Sequence, residues 1–170
     1  MTNSNAQTNP TEGNIVPLFS KKQPVAVPQI QREDMAAAVA ATPPKESGFL
    51  ANAMSDIEYL SDALPDDEQI LSVAYCQAIQ SGTGGVIALT PKRVVAVISR
   101  DDKKHGPAEP TVYIFPFQDL TNISFRTEIA NFAHFDMKDQ ERVTLQIGWD
   151  KKWPEVFMNS VKQQFNRSKF

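Results

Sequence analysis

The sequence predicts a mainly β fold: seven antiparallel strands followed by a C-terminal amphipathic helix, behind a short helix and an N-terminal tail. Three observations carry this. Apolar residues recur with period two, in β-branched and aromatic runs, over about eighty residues from Gln69 onward. Turn residues separate the runs, and composition changes sharply near residue 47.

The first 47 residues hold six of the 12 prolines, no Trp or Tyr, and a single phenylalanine, Phe19. Such a segment has too little apolar surface to offset its ordering entropy, and it reads as disordered in isolation, either a flexible leader or a set of docking motifs that order on a partner. Its apolar islands are the candidate docking residues: Ile15, Val16, Leu18 and Phe19 in "NIVPLF", and Val25, Val27 and Ile30 in "PVAVPQI". "REDMAAAVAA" (32–41) has the composition of a brief helix, with Glu33 and Asp34 at its positive end and Pro43-Pro44 as a stop. Residues 48–64 then read as an amphipathic helix, with Leu50, Met54, Ile57, Leu60 and Leu64 on one face and Pro65 ending it.

From 65 to 170 the chain reads as one domain. Its strands are "QILSVAYCQ" (69–77), "GGVIALT" (84–90), "RVVAVIS" (93–99), "TVYIFPF" (111–117), "LTNISFRT" (120–127), "ANFAHFDM" (130–137) and "RVTLQIG" (142–148). Thr90-Pro91-Lys92-Arg93 forms a tight turn, with proline presetting φ at its second position. "RDDKKHGPAEP" (100–110) is a longer loop, and "KDQE" (138–141) closes the last hairpin. In the final helix Asp150 or Trp153 is the expected cap and Pro154 suits the first turn. Phe157, Met158, Val161 and Phe165 form its core-facing stripe.

The stretch "SGTGGVIALTPKRVVAV" (81–97) opens with three glycines in four positions, as a phosphate-binding loop would. Such a loop needs a helix immediately beyond it, and usually a lysine followed by Ser or Thr. Here a strand follows and no such pair is present, so the glycines are read as allowing a hairpin to bend and cross.

Seven strands and a terminal helix is the element order of the pleckstrin-homology (PH) fold. "GGVIALTPKRVVAVIS" resembles the second and third strands of bacterial PH-like (YokE-type) domains, with their Thr-x-(Lys/Arg)-Arg turn. "IFPFQDLTNISF" (114–125) and the acidic entry "LPDDEQIL" (64–71) are similar to other elements of that family. The resemblance covers residues 64–166. It implies a barrel of two bent sheets capped at one end by the helix, a tendency to form symmetric oligomers, and no catalytic residues to carry over.

The residues themselves supply no catalytic set. The histidines, His105 and His134, stand in a loop and a strand, and nothing has zinc-ligand spacing. His134 reads as a satisfied sheet residue and Cys76 as an inert thiol. Asp66-Asp67-Glu68 and Asp139/Glu141 read as solvated turns. The expectation is therefore no enzyme, no metal and no cofactor. A net charge of −3 and a pI of 5.4 disfavour nucleic acid. Trp149, Trp153, Lys151 and Lys152 are read as plugging the barrel end.

Two binding readings remain. Lipid head-group recognition in PH domains relies on cations in the first two strands, but residues 72–89 here contain no Lys or Arg. Only Lys92, Arg93, Lys103 and Lys104 could make a basic patch for an anion or membrane lipid. Protein interaction fits better. Sheet edges and the groove beside the helix accept extended segments, and Phe132 and Phe135, on opposite faces of one strand, are candidate anchors. The sequence thus points to a non-catalytic interaction module of bacterial or phage type that self-associates or docks on a larger assembly, a virion among them. One cysteine, no secretory leader and no membrane-length apolar run point to the bacterial host cytoplasm or a virion.

Overall fold

A computed structural model of the chain describes residues 30–99, 101–102, 106–107 and 109–170. Three helices come first: α1 (Glu33–Ala40), α2 (Pro44–Leu50) and, after a 3-10 turn at Ala51–Ala53, α3 (Met54–Ala63). The strands are β1 (Ser72–Ala78), β2 (Gly84–Leu89), β3 (Arg93–Ile98), β4 (Thr111–Pro116), β5 (Leu120–Thr127), β6 (Asn131–Met137) and β7 (Val143–Ile147). A two-residue ladder, Asp101–Asp102 with Gly106–Pro107, lies in the β3–β4 connection. Helix α4 (Lys152–Arg167) follows β7. The seven main strands and the terminal helix follow the predicted order.

All seven strands are antiparallel and run β4-β3-β2-β1-β7-β6-β5 across the sheet. The two sheets expected from the sequence are joined through β1. It pairs with β2 from Ser72 to Gln77 and with β7 through Cys76, Gln77 and Ala78. Inside the bend lies a core of Ile87, Leu89, Val94, Phe115, Phe117, Leu120, Phe135, Leu145 and Ile147. Helix α4 closes it with Phe157, Met158 and Val161, while Phe165 packs at the rim.

A second core corrects the sequence reading. Strands β2 and β3 are buried at five consecutive positions each, so both faces of the sheet are covered here. Val73, Val86, Ala88, Val95 and Val97 point away from α4 and pack against Met35, Leu50, Ile57, Leu60 and Leu64. An apolar run without alternation is what a strand between two layers requires.

The tail boundary at residue 47 therefore falls inside α2, and residues 30–47 belong to the folded unit. The expected helix 48–64 is also broken: the 3-10 turn at Ala51–Ala53 separates α2 from α3, and α2 begins earlier, at Pro44, with Pro43 in extended conformation before it. Arg32 fastens this layer. Its guanidinium donates to the carbonyls of Ser61, Leu64, Pro65 and Glu68 at 3.1, 2.9, 3.0 and 2.6 Å, and pairs with Asp34 at 2.8 Å.

The glycines of the opening stretch serve the turn and the crossing. Gly82 takes φ +68° in the β1–β2 turn, a conformation that L side chains avoid. At Gly85 a Cβ would collide with the backbone of Val97 on β3.

Candidate functional site

The acidic entry and the Thr-Pro-Lys-Arg turn, two motifs 22 residues apart, meet in space. Glu68 is buried, with its carboxylate facing the β2–β3 turn. Oε1 accepts from the Thr90 hydroxyl at 2.8 Å and from Arg93 Nε at 2.8 Å, and Oε2 accepts from Arg93 Nη2 at 2.5 Å. Thr90 Oγ1 in turn accepts from the backbone N–H groups of Lys92 and Arg93. The Arg93 guanidinium holds the Glu68 carboxyl below the usual carboxylate range, and Glu68 raises Arg93. Glu68 is thus a staple and not the solvated turn residue expected, while Asp66 and Asp67 are exposed. The same contact corrects the anion-site expectation at Arg93, whose charge is already paired. Lys92 is exposed beside it, at the rim of a 460 Å³ depression lined by Pro91, Arg93, Pro116 and Phe117. Lys103 and Lys104 lie outside the described residues.

Two more buried carboxyls bind the helical layer to the sheet. Glu46 Oε1 accepts from the Tyr75 N–H at 2.6 Å, while Oε2 has no partner. Asp56 accepts from the Ser99 hydroxyl. Burial raises the pKa of both, with Asp150 adding to the rise at Glu46 and the Ser99 bond opposing it at Asp56. Sequence reading missed both, since a carboxylate on an amphipathic helix looks solvated until a third layer is known.

Cys76 is fully buried in the core, and burial pushes its thiol pKa far up, as an inert thiol requires. His134 Nδ1 lies 2.7 Å from the Thr144 hydroxyl across β6–β7, and burial with Arg142 and Arg126 nearby lowers its pKa. Among the described residues no group of three His, Cys, Asp or Glu could hold a metal. No helix among them is long and apolar enough to cross a membrane.

The predicted anchors separate. Phe135 points into the core, fully buried and stacked on Phe115 at 4.2 Å, so it cannot meet a partner. Phe132 is on the outer face, half-buried between Arg126 of β5 and Gln146 of β7. Ile30 is buried in the second core and is likewise committed internally. Ile15, Val16, Leu18, Phe19, Val25 and Val27 lie outside the described residues. Trp153 donates its indole N–H to the Val73 carbonyl at 2.9 Å, as a plug should. Trp149 is half-exposed and tilts against Phe49, which tilts against Tyr75.

What the sequence reading did not single out is the edge formed by β4. The sheet has two outer strands, β4 and β5. Strand β5 carries a register irregularity at Leu120/Asn122 and an exposed charge at Arg126, both devices that discourage edge pairing. Strand β4, "TVYIFP", has neither. Val112 and Ile114 stand on its outer side, 37% and 47% exposed. They are opposite Val97 and Val95 of β3, which the helical layer buries. The apolar face therefore continues one strand beyond its cover.

No protein-family model matches the chain, and no curated protein matches its sequence. Among solved structures it is similar to "Vps36 N-terminal PH domain", at 15% identity and a TM-score of 0.43, over 61% of this chain and 83% of that one.

Proposed function

We propose that the chain is a non-catalytic protein-interaction module that works through the open edge of its sheet, with the segment carrying Ile15, Val16, Leu18, Phe19, Val25 and Val27 as a second contact. The observation that carries this reading is the β4 edge, uncharged and bordered by Val112 and Ile114, on a protein whose opposite edge is guarded. An edge of that kind recognises extended backbone through hydrogen bonds and takes specificity from alternate side chains. The ionic groups favour the same reading. Glu68 and Arg93 are spent on each other, which among the described residues leaves Lys92 as the exposed cation of the turn. The bacterial PH-like identity of the domain, an origin in a bacterium or phage, and a place in a larger cytoplasmic or virion assembly belong to this proposal. They rest on the "ALTPKR" and "IFPFQDLTNISF" motifs.

Lipid head-group binding through Lys92 with Lys103 and Lys104 is the second reading, favoured only by the depression beside Lys92. One experiment separates the two. The full chain and its Ile114→Lys and Phe19→Asp variants are used to capture proteins from lysate and to cosediment with anionic vesicles. Protein capture lost in either variant, without vesicle binding, supports the module. Vesicle binding that survives both changes and falls with Lys92→Ala replaces it with the lipid reading.

A further inference from the structure

We infer that the occupant of the β4 edge is the β4 edge of a second copy of this chain, paired antiparallel about a two-fold axis through Tyr113. The inference rests on the interaction reading above and names its partner.

The backbone directions set the argument. The Phe117 N–H donates to the Lys92 carbonyl at 3.0 Å, which fixes the phase of the β3–β4 ladder. Directions alternate along an antiparallel strand. Thr111, Tyr113 and Phe115 therefore turn their N–H and C=O groups toward β3, opposite Ile98, Ala96 and Val94. Val112 and Ile114 turn theirs outward, and among the described residues these groups meet no further strand.

A second β4 must pair so that side chains of like face lie opposite one another, or the two sheets do not continue. Centring on Tyr113 does this. Val112 then opposes the second copy's Ile114, and Ile114 its Val112, so each pair exchanges two hydrogen bonds. Every outward donor and acceptor of the two residues is used. The same register sets Pro110 opposite the second copy's Pro116. Proline has no N–H, so the ladder stops at both ends without leaving a donor unpaired.

The side chains agree with this register. On the outer face Val112 and Ile114 of both copies become neighbours, a cross-strand arrangement of β-branched residues that favours pairing. On the inner face the half-buried Tyr113, stacked on Phe115 with ring centroids 6.4 Å apart, meets its own copy at the axis. No residue from Pro110 to Pro116 is charged, so a two-fold axis brings no like charges together. A charged peptide would find no counter-charge on this strand. A single strand pair falls in the class of small interfaces, below about 1,200 Å², so the dimer is weak and its population depends on concentration.

The test uses the full chain. Sedimentation equilibrium over a concentration series shows a monomer–dimer equilibrium for the unchanged protein, and Ile114→Lys weakens it by at least about tenfold. Tyr113→Cys then reports the register. In a non-hydrogen-bonded antiparallel pair the Cα atoms are about 4.5 Å apart, within disulfide reach, so mild oxidation links two copies. Thr111→Cys, which would face the second copy's Phe115, does not link.

A protein that stays monomeric, an Ile114→Lys variant that is folded by circular dichroism and still dimeric, or linkage at residue 111 in place of 113 overturns the inference. If Ile114→Lys does not fold, the two cysteine variants decide alone. A monomer whose protein capture still depends on Ile114 leaves the interaction reading standing. A monomer whose capture ignores Ile114 removes both.

Discussion

Arg93 and Glu68 form a two-pronged ion pair, with Nε on Oε1 at 2.8 Å and Nη2 on Oε2 at 2.5 Å. Glu68 is almost wholly buried while Arg93 retains partial exposure. The pair ties the segment entering β1 to the turn joining β2 and β3. Thr90 is the third member, so one carboxylate organises both motifs.

Replacing Glu68 with Ala leaves Arg93 and Thr90 Oγ1 without their acceptor and is expected to cost about 2–3 kcal/mol, measured by urea unfolding. The Glu68 carboxyl titrates below its unfolded value. Its contribution is therefore present above about pH 4.3 and fades as pH falls through the lowered native value. In the Ala variant that part of the acid-unfolding slope is missing.

Glu46 behaves oppositely. Its native pKa is raised by burial, so the folded protein holds this proton more tightly than the unfolded chain does. The resulting stability is present at low pH and is lost as pH rises from the ordinary carboxylate value through the raised one. Glu46→Gln keeps an acceptor for the Tyr75 N–H and removes the charge. The expected outcome is a higher Tm at neutral pH and a flatter Tm profile above pH 4.3, read by calorimetry.

The glycines should rank by what surrounds them. Gly85→Ala drives a methyl into the Val97 backbone, which cannot swing aside, and is expected to cost about 3 kcal/mol or more. Gly82→Ala meets open space and bears only the left-handed backbone penalty, about 1–2 kcal/mol. Equal losses in urea unfolding would contradict the crossing described for β2 and β3.

Removal of residues 1–47 should not yield a stable domain, because Met35, Ala38, Val39 and Glu46 leave with the cut. The shortened chain is expected to bind a hydrophobic dye and to lose its cooperative melt. In the full chain Cys76 should resist thiol reagents until urea opens the core.

The sheet was legible because its chemistry is local. Each of the seven strands has a β-rich run bounded by turn residues, and α4 has its stripe at Phe157, Met158 and Val161. The second layer was harder to read. In α1 Met35, Ala38 and Val39 provide a small apolar face, and the sheet residues of its core, Val73, Val86, Ala88, Val95 and Val97, come much later in the chain. The continuous burial of "VIAL" and "VVAVI" was the available signal, since a strand open to water on one face would alternate. Glu46, Asp56 and Glu68 were missed for a related reason, because the partner of each is distant in sequence. The sequence places Phe132 and Phe135 on opposite faces, but which face is the inside is decided by the core that α4 closes, where Phe135 lies.

The two-sided burial of β2 and β3 also sets the order in which a newly made chain can finish folding. Helices α1, α2 and α3 are synthesised before the sheet that covers them. Met35, Leu50, Ile57 and Leu60 have no complete docking surface until Val95 and Val97 have left the ribosome. At about 5–20 residues per second this interval lasts seconds, long compared with helix formation and hydrophobic collapse. During it the nascent N-terminal helices expose the apolar face that β2 and β3 later cover.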